Sequence, residues 1–164
     1  MNELRVGVEL AVPGDDPGGW LAEATAYEAA GADSLWVHGG DAGAWVLLGA
    51  LAAVTWRVRL GMLPGGVAGP ESAADALQGL SRGRLLVARP GIGGDSLEVE
   101  AGGATERWSR AAPPPGRRAW AGALEAAAAA GDTGILVRAA PGLLDLLRNP
   151  DAEDDRSDLQ LSYG

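Results

Sequence analysis

From residue 4 to residue 90 the chain switches repeatedly between a two-residue and a helical spacing of apolar positions. In LRVGVELAV (4–12), Val6, Val8 and Leu10 share one side and Leu4 joins them, the pattern of a buried strand. PGDDPGG then turns the chain. Asp16 can cap a helix with Pro17 in its first turn, where proline has no donor to waste. Trp20, Ala24 and Tyr27 recur at helical spacing, and Gly31 is a natural stop. Residues 33–38 read as a second strand. Asp41 can cap the helix AWVLLGALAAVT (44–55), which is apolar on nearly all sides and should be largely covered. A third strand (58–63), a loop (PGGVAGP), a weaker helix (ESAADALQGL) and a fourth strand (84–90) follow. Such alternation predicts an α/β domain with a parallel sheet and outer helices. The expected core includes Val6, Val8, Leu35, Val37, Leu48, Val58, Leu60, Leu85 and Val87.

After residue 90 the pattern weakens, and 91–117 reads as a largely irregular segment. SLEVEAG (96–102) alternates like an exposed strand, in an antiparallel arrangement if it pairs. ERWSRAAPPP holds three consecutive prolines, which a helix interior does not tolerate. Residues 118–131 return to helix, 134–138 to strand, and PGLLDLLRN to a helix with Pro141 near its start. DAEDDRSD reads as a solvated connection, and LQLSYG as a final strand.

The chain has 164 residues, enough for one domain burying roughly 70% of its unfolded surface. Its formal charge of −9 gives it no electrostatic reason to seek nucleic acid or an anionic membrane. With no cysteine and one histidine, disulfides, thiol nucleophiles and multi-histidine metal sites within one chain are excluded, and no metal site is assigned. MNELRVGVEL lacks the features of a signal peptide, and no stretch has the length of a membrane span, so a cytoplasmic protein is expected.

Two stretches, AEATAYEAAGADSLWVHGGDAGAWVLLGALAAVTWRVRLG (22–61) and LQGLSRGRLLVARPGIGG (77–94) with its L-S-x-G-R segment, resemble the bacterial luciferase-like monooxygenases. WAGALEAAAAAGDTGILV (120–137) is a weaker match to the family's C-terminal half. The resemblance implies a TIM barrel using FMN or a deazaflavin to oxidise or reduce a small organic substrate. A complete eight-stranded barrel needs about 250 residues. The expectation is therefore a single luciferase-like domain over 1–164: a shortened or incomplete TIM-barrel-like parallel sheet with outer helices. An open sheet, or one completed by a partner chain, is favoured over a barrel closed within one chain.

Ser34, Trp36 and His38 share one face of the second strand, the inward one if the sheet curves as a barrel. His38 then ends the strand where such folds place their chemistry, as the catalytic candidate. Its imidazole can hydrogen-bond a flavin or exchange a proton near neutral pH, or it is structural and bonds a loop carbonyl. Gly39, Gly40, Arg89, Arg138 and Gly142 are the candidate cofactor-binding residues, with phosphate assigned to Arg138 and the amides of 140–142. Ordinary pairing with one of the 22 acidic residues is the competing account of Arg138. PGIGGDS (90–96) can form an anion nest, but Asp95 would repel phosphate, and an unusual turn is favoured. Glu9 is an acid or a partner for Arg138 if inward, or a strand-end residue facing water. Glu98 and Glu100 share a face without further metal ligands.

Two accounts of function result. One is a flavin- or deazaflavin-dependent oxidoreductase of small organic substrates. The other is a non-catalytic binding or scaffold protein that self-assembles. Both accommodate a homodimer or larger oligomer, because an open sheet leaves edges to pair and Trp108 lies where it could anchor an interface.

Overall fold

The computed structural model describes residues 4–39, 42–65, 71–92 and 94–150. Seven strands and five helices occur among them: β1 (Arg5–Glu9), α1 (Pro17–Ala29), β2 (Ser34–His38), α2 (Ala42–Val54), β3 (Arg59–Leu63), α3 (Glu71–Leu80), β4 (Leu85–Pro90), β5 (Ser96–Ala101), β6 (Ala104–Ala111), α4 (Arg117–Ala129), β7 (Gly134–Arg138) and α5 (Leu143–Arg148). Local signals work as expected where they are described. The Asp16 side chain accepts from the Gly19 amide at 2.8 Å, Pro17 opens α1, and Gly31 takes a left-handed φ of 92° just past its end. The Asp41 cap, the connection over 151–158 and the last expected strand (159–164) lie outside the described residues.

The sheet is closed, not open. The strands follow one another in sequence order, and β7 pairs with β1 from Arg5↔Gly134 to Glu9↔Arg138. It is also mixed: β5 runs antiparallel to β4 and β6, and the other pairings are parallel. The stretch 96–102, read as a strand that pairs antiparallel, is β5, and the stretch after it, expected to be irregular, supplies the further strand β6. Gly102 and Gly103 carry φ of 56° and 84°, the positive values a two-residue hairpin turn demands, and Ala101 pairs with Ala104 across them. A hairpin adds two strands in sixteen residues (96–111), where two strand–helix units would need several times that length. This economy closes the barrel within the chain. An open sheet edge is therefore no longer a ground for expecting a homodimer.

Closure requires an interior that a narrow barrel can hold. Trp36 of β2 and Trp108 of β6 fill it edge to face, with ring centroids 5.8 Å apart and both side chains fully buried. Trp108 is thus an internal residue, and the exposed anchor expected of it is corrected. Space for the two indoles comes from inward-facing glycines on the neighbouring strands. A Cβ on Gly7 would lie 2.7 Å from Trp36 Nε1 and 2.8 Å from Trp108 Cζ3. One on Gly61 would lie 2.6 Å from Trp36 Cδ2, and one on Gly134 would overlap Trp108. Burying an indole of about 200 Å² contributes up to about 5 kcal/mol, against about 1 kcal/mol lost per glycine, so the exchange favours the fold. Leu63, Leu86, Leu97, Val99 and Leu136 complete this inner cluster.

The outer faces of β1, β2, β3 and β7 carry Val8, Leu35, Val37, Leu60, Ile135 and Val137 against the helices. Val58 and Leu48 are buried as expected, whereas Val6 and Leu85 are only half-buried. Val87 is 49% exposed. The connections around β5 are hairpin turns, so no helix covers this side, and the strip is kept wet by charge: Arg89 pairs with Glu100 at 3.1 Å.

Two polar clamps tie the helices to the barrel. Glu28 of α1 accepts the backbone N–H groups of Trp56, Arg57 and Val58 at 2.6–2.9 Å. Burial alone would raise its pKa, but these three donors outweigh it and hold the carboxyl below its usual range. Arg84 donates to the carbonyls of Ala52, Thr55, Val58 and Ser81 and to the Thr55 hydroxyl, closing the C-terminal end of α2. Arg84 is the last residue of the L-S-x-G-R segment, which in this chain secures a helix end.

Candidate functional site

Side chains pointing into the barrel form charged clusters at both ends, with the tryptophans between. At the N-terminal end Glu106 is 7% exposed. It pairs with Arg5 and Arg59 and accepts from Trp108 Nε1 at 2.9 Å. Asp33 also takes Arg59, whose guanidinium sits 5.7 Å from the Trp108 ring centroid. Two carboxylates face two guanidiniums, so this end is neutral and internally satisfied, as expected of a structural cluster at this end of a barrel.

The C-terminal end differs. Glu9, the last residue of β1, faces inward and is 8% exposed. Arg110 of β6 donates to its Oε2 at 3.2 Å. His38 Nδ1 lies 3.4 Å and Arg138 Nη2 3.6 Å from its Oε1. The partners are much more open than the acid: His38 is 59% exposed and Arg138 67%. One buried carboxylate thus carries two guanidiniums and an imidazole. Both guanidiniums are partly open to solvent. Leu63, Leu97, Leu136 and the Trp36 ring close the space beneath this mouth, so a ligand would rest on the rim.

The structure brings His38, Glu9 and Arg138 together, and the inward, paired orientation of Glu9 is the one found. Of the remaining cofactor candidates, Arg89 lies apart from them. Arg89 points outward from β4 to Glu100. Gly142, with φ of 87°, precedes a six-residue helix too short to present a row of free amides. Gly39 has a packing reason to be glycine: a Cβ there would collide with the Leu63 carbonyl and come within 3.2 Å of that of Gly65. Gly40 lies outside the described residues. The described part of 90–96 is the β4–β5 hairpin connection, in which the Gly91 amide bonds Ser96 O at 2.8 Å. Sequence reasoning misses Arg110, because the strand that carries it shows no plain alternation. Once the hairpin is recognised, Glu106, Trp108 and Arg110 alternate onto one face.

Hollows lie away from the mouth, among them one of about 520 Å³ between Glu28, Asp33, Arg57 and Arg59. One of about 620 Å³ sits at the N-terminal end between Leu4, Val6, Trp120 and Leu147. One of about 370 Å³ lies on the outer strip beside Ile92, Asp95 and Arg107. Among the described residues no three acidic or histidine side chains converge as a metal site, and no helix is long and apolar enough to cross a membrane. No protein-family model, curated protein or solved structure matches this chain.

Proposed function

We propose that the C-terminal mouth binds a small organic anion and that His38 exchanges a proton with it. The observation that carries this reading is the contact of a buried carboxylate, Glu9, with His38 Nδ1. A carboxylate on one edge of an imidazole orients the ring and favours the proton on that nitrogen. Nε2, on the far edge of a ring more than half exposed, is left to accept or deliver a proton. The two guanidiniums supply attraction for the anion.

The luciferase-like resemblance adds FMN or a deazaflavin and an oxidoreductase reaction on a small organic substrate. The phosphate set assigned to that cofactor is Arg138 with the amides of 140–142. Of that set, Arg138 already contacts Glu9 at the mouth, and the helix that follows Gly142 has six residues. We therefore derive no redox step. The second reading is a non-catalytic binding protein: Trp36, Trp108 and the leucines around them pack the barrel interior, which leaves a ligand only the rim.

Equilibrium dialysis against small carboxylates, phosphate monoesters, FMN and a deazaflavin, followed by proton NMR of each bound compound in D2O, tests the proposal. The expected result is an acidic carbon-bound hydrogen of a bound anion exchanging with solvent in wild type and not in H38A. Binding of none of these compounds rejects the site. Equal exchange by H38A removes His38 from the chemistry.

A further inference from the structure

The two arginines at the mouth are held differently. Arg110 makes a hydrogen bond to Glu9 at 3.2 Å, is 38% exposed, and belongs to a strand paired on both sides, with its amide on Asp95 O. Arg138 ends β7 and approaches the other oxygen of Glu9 at 3.6 Å, too long for a hydrogen bond. Two-thirds of its side chain faces solvent. Removing Arg138 from Glu9 gives up an ion contact in partly hydrated surroundings, which is weak. Removing Arg110 would break the hydrogen bond that neutralises a buried carboxylate, which costs more.

Resting on the mouth reading above, we infer that Arg138 is the arm that receives the ligand, and that Glu9 is an internal competitor for it. In the ligand-free arrangement the guanidinium rests against Glu9 Oε1. An incoming oxyanion, carboxylate or phosphate, offers the planar fork two oxygens in place of one distant contact. Arg110 stays on Glu9 and keeps it compensated throughout. The exchange leaves His38 beside both the carboxylate that orients it and the anion that Arg138 has taken. Arg138 is therefore the specificity-determining residue of the mouth, and Glu9 sets how tightly the anion is held.

The arrangement predicts opposite signs for two variants. R138A should weaken binding by about tenfold or more, the value of one charge-assisted contact. E9Q should strengthen it several-fold, because the competitor is gone and the local charge rises by one. The test is isothermal titration calorimetry at low ionic strength with inorganic phosphate and, separately, acetate, on wild type, R138A and E9Q. Circular dichroism checks that each variant folds. Tighter binding of one probe identifies the head group. Retention of wild-type affinity by R138A, or weaker binding by a folded E9Q, overturns the inference while leaving the mouth reading intact. Absence of binding to wild type overturns both. R138A changes an exposed side chain, so it decides the matter even if E9Q does not fold.

Discussion

Replacing Gly7 by alanine tests the packing that lets seven strands close. The added methyl would stand 2.7 Å from Trp36 Nε1, 2.8 Å from Trp108 Cζ3 and 2.9 Å from Ser34 Oγ. Contacts under about 3 Å force a neighbour to move, and none of these can move freely. Trp36 Nε1 is bonded to Ser34 Oγ at 2.8 Å and Trp108 Nε1 to Glu106 Oε2 at 2.9 Å, and both rings are fully buried. Overpacking a core of this kind costs about 1–3 kcal/mol. The restricted unfolded chain returns about 0.4–1 kcal/mol. A net loss of about 1–2 kcal/mol remains, which for a chain of this size lowers Tm by about 2–8 °C. Urea unfolding followed by tryptophan fluorescence measures it directly. G122A is the matched control. Gly122 lies in the middle of α4, and a methyl added there would meet nothing within 4 Å, so alanine should stabilise by about 0.5–1 kcal/mol. If G7A were neutral, or gained stability alongside G122A, the account of the inner glycines would be wrong.

Other outcomes follow from the clamps and the buried phenol. R84A should cost about 3 kcal/mol in chemical denaturation, because the carbonyls at the end of α2 lose their common donor, and R84K should recover only part of it. Glu28 has a lowered folded pKa, so its stabilisation is fully present above its unfolded value and is lost as pH falls through the folded one. E28Q should therefore destabilise the protein at neutral pH and flatten the acid side of its stability profile; an unchanged slope would contradict the three-amide clamp. Burial, followed by the nearby Glu23 charge, raises the Tyr27 pKa above 10.0, so stability tied to its neutral form declines as pH rises past that value. Y27F should remove this alkaline loss, readable in thermal melts at high pH.

The first four strands and three helices are legible in the sequence because each carries its own period and punctuation. Val6, Val8, Leu35 and Val37 show the outward apolar face that helices cover, and Asp16 with Pro17 marks a helix start. The hairpin is harder to read for a physical reason. Its outer face has no helix over it and is polar, while Glu106 and Arg110 stand on its inner face among apolar residues. Alternation is therefore plain in 96–102 but not in β6, and the Gly102–Gly103 pair is the signal that joins the two. Without that signal the sheet looks open and Trp108 looks like a loop residue. At the mouth, His38 and Arg138 can be placed by their strand ends. Arg110 cannot, since its role depends on a strand brought alongside β7 by closure.

His38 is the single histidine of the chain, so its imidazole gives one identifiable set of NMR signals. The most direct measurement of the central claim is a titration of isotope-labelled protein with phosphate or acetate, observing those ring signals together with the backbone amides. The account predicts a saturable shift of the His38 ring with one or both anions, accompanied by amides at the ends of β1, β6 and β7. An unmoved imidazole at saturating anion, or shifts confined to the outer hollow beside Ile92 and Asp95, would contradict it.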